Sequence, residues 1–136
     1  IERNVERPLV IGPDSESEQW VAAVAQAAGA PYVVLNKQRF GDRNVAIAVP
    51  DMTPWRDHRP VLIDDIVSSG RTMIEAASQL SARDFAKPYC LAVHALFAED
   101  SYQRLLDCAE QVVTADTVPH ASNAISVAPL IAKSFP

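Results

Sequence analysis

The stretch from Arg59 to Thr72 constrains the fold of this chain more than any other. Val61, Leu62 and Ile63 form an apolar run that reads as a buried strand, and Asp64 and Asp65 follow at its C-terminal end. Ser68 to Arg71 then reads as a tight turn, and Thr72-Met73-Ile74-Glu75 as a capping box opening a helix through Leu80. A helix start offers free backbone N–H groups and partial positive charge, so phosphate binds well there. Hydroxyls on Ser68, Ser69 and Thr72 can add hydrogen bonds to its oxygens. The two carboxylates suit the other end of a sugar phosphate, where they can accept from vicinal ribose hydroxyls or hold a hydrated magnesium ion. The plainer alternative is that Asp64 caps the strand while Ser68 and Thr72 only shape a turn. The order of hydroxyls, Gly70 and helix cap after the acids favours a phosphate cradle.

The rest of the chain repeats the same alternation. Short β-rich segments alternate with helical patterns at about 15–28, 72–82, 99–108 and 129–134, which argues for a three-layer α/β fold around a mostly parallel sheet. Trp20, Val21, Val24, Ala25 and Ala28 share helical spacing and supply one buried face. With 136 residues, 49% of them hydrophobic, a sizeable core is available, and residues 1–136 read as one domain. Asp51 to His58 reads as a connection within it. A net charge of −5 disfavours nucleic acid and membrane surfaces as partners, since both reward a cationic face. Any anionic ligand must be met locally, by Lys37, Arg39, Arg43, Arg71 and the helix start at residue 72. Cys90 and Cys108 are too few and too far apart for a zinc motif or a disulfide framework. With no signal peptide and no membrane-length apolar run, the expectation is a cytoplasmic protein.

The segment around Asp64 to Thr72 resembles the phosphoribosyl-pyrophosphate motif of type I phosphoribosyltransferase-fold proteins. That motif is shared by nucleobase salvage enzymes, orotate-type transferases, regulators and ribose-phosphate diphosphokinases, so other segments must separate them. Three favour the ribose-phosphate diphosphokinase (phosphoribosyl-pyrophosphate synthetase) family. Leu9 to Asp14 is similar to the family's strand-Pro-Asp turn, which implies that Asp14 lies beside the phosphate site and helps bind metal. Plain N-capping by Asp14, with Ser15 and Glu18 as a second candidate capping box, is the alternative. Pro31 to Asn44 looks like a buried strand leaving into the family's Lys-x-Arg catalytic loop, with Lys37 and Arg39 neutralising charge on the transferring diphosphoryl group. The run from Val112 to His120, with Ala124 to Ala132, resembles the closing strands and last helix. Tyr89 to Phe97 also matches; its His94 is read as a structural hydrogen-bond partner.

The resemblance covers nearly all of the chain but only the C-terminal half of a synthetase. It implies a magnesium-dependent transfer of diphosphate from ATP to ribose 5-phosphate, in which Asp64, Asp65, Ser68, Ser69, Gly70, Arg71 and Thr72 hold ribose 5-phosphate. It also implies a homo-oligomer with an amino-terminal domain that this chain lacks, so that the fragment alone is expected to be inactive. Ser68 stands where many members carry Asp, and Arg71 where many carry Gly; both changes lower the local negative charge. Ser-Ser-Gly-Arg-Thr also occurs among nucleobase phosphoribosyltransferases, the alternative function, and a non-catalytic regulatory subunit of the same fold is the third.

Overall fold

The computed structural model describes residues 5–40 and 44–135, with the side chains of 37–48 outside the described set. Six strands form one parallel sheet: β1 (Pro8–Gly12), β2 (Tyr32–Val34), β5 (Arg59–Val67), β6 (Tyr89–Ala95), β7 (Gln111–Ala115) and β8 (Asn123–Ile125), in the order β2-β1-β5-β6-β7-β8. β3 (Asn36–Phe40) and β4 (Asn44–Ala48) pair antiparallel beside it. The described residues also form four α-helices: α1 (Glu18–Ala27), α2 (Arg71–Ser81), α3 (Ser101–Cys108) and α4 (Ala128–Ala132).

Period-two alternation along the central strands sorts their side chains between two cores. Leu9, Ile11 and Leu62 pack with Met73, Ala76, Ala77 and Leu80 of α2 and with Leu105 of α3. Val10, Val61 and Ile63 face the other way, onto Val21 and Ala25 of α1. Helices therefore cover both faces, the three-layer parallel arrangement expected from the sequence. The buried positions of α2 fall at residues 73, 76, 77 and 80, the stripe that a 3.6-residue period aims at one neighbour.

Trp20 departs from expectation. Val21 and Ala25 are fully buried, but Trp20 keeps 36% of its surface in solvent. One residue is a 100° turn of the helix, so Trp20 lies on the flank of the buried stripe through Val21 and Ala25. The segment after β2 also differs. Lys37 and Arg39, expected in a loop, lie on the backbone of β3, opposite Ile47 and Val45. Arg43 lies outside the described residues.

β7 and β8 are joined by a buried polar network in place of apolar contacts. The Thr114 hydroxyl lies 2.8 Å from Ser122 Oγ and accepts from Asn123 Nδ2 at 2.9 Å, which satisfies the one fully buried threonine. Cys90 sits in the core as a small apolar residue, and burial pushes its thiol pKa up, as it does that of Cys108. Among the described residues no helix is long and apolar enough to cross a membrane.

Candidate phosphate-binding site

In a parallel sheet all strands end on one edge, and ligands collect where neighbouring strands send their helices to opposite faces. β1 and β5 are such neighbours: β1 leads into α1 on one face, while β5 leads into α2 on the other. The crevice beyond their C-terminal ends is bordered by Asp14 after β1 and by residues 64–72 after the apolar half of β5. The sequence-predicted carboxylates and hydroxyls are thus brought to the switch point of the sheet.

β5 continues past Asp64 and Asp65 to Val67, so the two acids lie within the strand and not at its end. Their carboxylates bond locally: Asp65 N–H donates to Asp64 Oδ1 at 3.0 Å and Ile66 N–H to Asp65 Oδ1 at 2.8 Å. Asp64 is half-buried. Burial, opposed by the Asp65 N–H and reinforced by the negative charges of Asp14 and Asp65, pushes its pKa up to about 6. Charge on Asp64 is therefore unfavourable in the folded state. A carboxyl whose pKa is raised on folding binds more protons folded than unfolded, so stability falls as pH rises from about 4 to 6 and stays lower above that. Asp64→Asn should accordingly melt roughly 2–5 °C above wild type at pH 7.5, the modest size reflecting partial exposure. The gap should close as pH is lowered from 6 to 4. A melting difference that does not vary with pH would remove this account of Asp64.

The turn after β5 forms a cavity of about 210 Å³ lined by Asp64, Ile66 to Thr72 and Met73. Gly70 is the N-cap of α2, with φ 67° and ψ 0°, and no side chain caps the helix. The expected Thr72–Glu75 capping box is absent: Thr72 lies inside the first turn, and Glu75 instead accepts from Gln79 Nε2 at 3.2 Å. A glycine cap has no side chain of its own to bond the leading N–H groups of the helix, whereas a serine or threonine cap would compete with a bound anion for them. Arg71 is exposed at the rim, with Ser68 and Ser69.

Across the crevice the second expected capping box is also replaced. Asp14 caps a short 3-10 turn, Ser15–Ser17, by accepting from Glu16 N–H at 3.1 Å, and Ser17, fully buried, donates its hydroxyl to the Asp14 carbonyl. Gly12 is needed beneath this turn because a Cβ there would collide with Ser17 Oγ. Capping leaves Asp14 close enough to raise the pKa of Asp64. Among the described residues no three His, Cys, Asp or Glu side chains converge as a metal cage. The donors present suit magnesium in its usual protein setting, one or two carboxylates with waters and substrate phosphates completing the shell.

The side chains of Lys37 and Arg39 lie outside the described residues, but their backbone leaves the sheet at the same crevice. Leu35 N–H donates to Gly12 O at 2.9 Å, so β3 starts beside the end of β1. His94 is bonded as a structural residue. Thr117 donates its one hydroxyl hydrogen to Val93 O at 2.8 Å, so the 2.8 Å contact to Thr117 Oγ1 requires a proton on His94 Nδ1. A larger cavity, about 530 Å³, lies at the far end of α2 among Ile74, Ala77, Phe85, Lys87 and Asp107. The smaller one is the better candidate because there the start of α2, capped by Gly70, meets the Asp64 carboxylate. Sequence reasoning missed Ser101, whose hydroxyl reaches Ser68 from 33 residues away; beside Glu99 and Asp100 it reads as an ordinary helix start.

The family model of the phosphoribosyl transferase domain matches residues 1–129. The chain belongs to that family. Its phosphoribosyl transferase domain is 34% identical to the ribose-phosphate pyrophosphokinase of Thermoplasma acidophilum over 125 residues, which are 92% of this chain and 43% of that protein. It is likewise 34% identical to the ribose-phosphate pyrophosphokinase of Methanopyrus kandleri over 127 residues, 93% of this chain and 43% of that protein. The chain thus spans less than half the length of these relatives. Among solved structures, phosphoribosylpyrophosphate synthetase from Mycobacterium smegmatis superposes with a TM-score of 0.77 at 25% identity, covering 95% of this chain and 44% of that one. The adenine phosphoribosyltransferase of Giardia lamblia shares the fold, with a TM-score of 0.63 at 16% identity, over 82% of this chain and 70% of that one. The fold is the type I phosphoribosyltransferase fold expected from the Asp64 to Thr72 segment.

Proposed function

We propose that this domain is the ribose-5-phosphate-binding half of a magnesium-dependent ribose-phosphate diphosphokinase. One observation carries the reading: likeness to ribose-phosphate pyrophosphokinases runs along 92% of the chain, including the Gly70-capped turn that suits an anion. The 5-phosphate sits on the turn from Ser68 to Thr72, held by the N–H groups at the start of α2 and the Ser68, Ser69 and Thr72 hydroxyls, with Arg71 adding charge at the rim. Asp64 and Asp65 address the ribose hydroxyls. Asp14, with Asp64 or Asp65 beside it, would hold magnesium, whose charge would offset that of phosphate oxygens and make an acidic crevice compatible with an anionic substrate.

In the reaction, the ribose 1-hydroxyl oxygen bonds to the β-phosphorus of ATP. The bond from that phosphorus to the α,β-bridging oxygen breaks, AMP leaves, and the hydroxyl proton passes to solvent. Little covalent help is needed from the protein; positioning and positive charge dominate, and Lys37 and Arg39 supply that charge at the transferring group. ATP contacts, activity and homo-oligomer assembly belong to the longer protein with its amino-terminal half, working in a reducing cytoplasm where Cys90 and Cys108 stay free thiols.

Calorimetric titration of this chain with ribose 5-phosphate tests the reading. Binding should appear with ribose 5-phosphate, strengthen with magnesium and be absent with ribose. No phosphate-dependent heat under either condition would sink it. Base-dependent pyrophosphate release without AMP formation in the longer protein would transfer the assignment to a nucleobase phosphoribosyltransferase, whose Ser-Ser-Gly-Arg-Thr pattern this turn shares.

A further inference from the structure

We propose that Ser101, at the start of α3, is a positioning residue that sets the conformation of the anion-binding turn through the carbonyl of Ser68. The inference rests on the reading of residues 68–72 as a phosphate cradle. Ser101 is 2% exposed, and its hydroxyl donates to Ser68 O at 2.7 Å. The same oxygen accepts from Ala98 N–H at 3.1 Å, and Val67 O accepts from Leu96 N–H at 3.0 Å. Two successive carbonyls at the mouth of the turn are thereby drawn toward the segment 96–101.

The consequence follows from peptide geometry. There are no cis bonds among the described residues, and in a trans peptide the C=O and the following N–H point in opposite directions. Holding the Ser68 carbonyl against α3 therefore aims the Ser69 N–H away from α3, into the cavity bordered by Ser69 to Met73. If that peptide plane turned over, a carbonyl oxygen would enter the cavity and repel a phosphate. Among the described residues the Ser101 hydroxyl bonds Ser68 O and no other group, which suits this task. Ser101 is not itself needed as a cap, being the first residue of α3 and not its N-cap.

The turn and the start of α3 are also neighbours at Gly70, where an added Cβ would meet Ser101 O at 3.6 Å and Ser101 Cβ at 3.7 Å, ordinary contact distances. The rings of Phe97, Tyr102 and His120 stack around the segment that carries Ser101, with centroid separations of 5.0, 4.7 and 4.6 Å. The hydroxyl thus acts from a braced element onto an otherwise exposed turn.

The test is calorimetry of wild type, Ser101→Ala and Ser101→Thr with inorganic phosphate and with ribose 5-phosphate, alongside thermal melts. Loss of one buried hydrogen bond that orders the turn should weaken both ligands by about tenfold in Ser101→Ala. The equal loss for both places the defect at the phosphate end. Ser101→Thr keeps the hydroxyl and should stay within about threefold of wild type. Should Ser101→Ala melt too low to titrate, Ser101→Cys fills similar space with a weak donor and carries the same expectation as alanine. Wild-type affinity in a folded Ser101→Ala, or equal loss in Ser101→Thr, would overturn the proposal. Failure of the wild type to bind phosphate at all would instead strike the cradle reading on which it rests.

Discussion

Gly70→Val should abolish ribose 5-phosphate binding, raising its dissociation constant by at least about 100-fold, and should lower the melting temperature by roughly 5–10 °C. Gly70 occupies the left-handed region at φ 67°, which a β-branched residue enters at a cost of about 1–3 kcal/mol. Space is not the first problem, since an added Cβ would meet Ile74 Cδ1 at 3.4 Å, an ordinary contact. The backbone itself is the problem. Relief of the unfavourable φ moves the Gly70 carbonyl, which accepts from Ile74 N–H at 2.9 Å and opens α2, and it redirects the N–H groups that follow. The two methyl groups of valine would extend beyond that Cβ toward Ile74 and Ser101 and crowd the turn against α3. Gly70→Ala, with a smaller backbone penalty and no γ-methyls, should show an intermediate loss. Calorimetry with a parallel melt checks both variants. Retention of affinity within threefold in Gly70→Val would show that ligand does not depend on the helix start.

The second large effect is on turnover and leaves binding intact. With the domain joined to the amino-terminal half of a matched relative, Lys37→Ala should lower formation of AMP from ATP and ribose 5-phosphate by about 10²–10³-fold. Affinity of the domain for ribose 5-phosphate should stay within about twofold. The split follows from position. Lys37 lies on β3, which the Leu35-to-Gly12 hydrogen bond anchors beside the end of β1, whereas the turn proposed to take the 5-phosphate follows β5. A cation that meets charge developing on the transferring group acts in the transition state and not on the bound sugar phosphate. Equal loss of ribose 5-phosphate affinity would make Lys37 a ground-state binding residue. Arg39, two residues along the same strand, is expected to behave as Lys37 does.

The two experiments divide the crevice as the fold does. α2 and its glycine cap follow β5, on the side proposed for the phosphate. The β3–β4 hairpin belongs to the outer side, past β1. Asp14 and Asp64 lie between, where their mutual repulsion gives a cation something to relieve. That repulsion is a property of two segments 50 residues apart, and its size depends on how closely β1 and β5 pair. Register brings Ile11 beside Leu62, so the chain beyond each strand emerges at the same edge.

Much of this was legible in the sequence because it depends on local physics. An apolar run bounded by acids and small residues makes a strand and a turn wherever it occurs. Residues 73, 76, 77 and 80 fall on one helical stripe by spacing alone, and the small-residue turn before them already marks a helix start. Alternation of such segments determines a parallel sheet, since parallel strands require crossovers. What the tertiary structure decided is what neighbours in space alone can set. It gave the cap of α2 to Gly70 over Thr72, left Trp20 half in solvent, and put Lys37 and Arg39 on a paired strand. It raised Asp64 through burial and the charge of Asp14, and it brought Ser101 to the Ser68 carbonyl. Each of these depends on burial or on a partner far along the chain, and a spacing pattern carries information about neither.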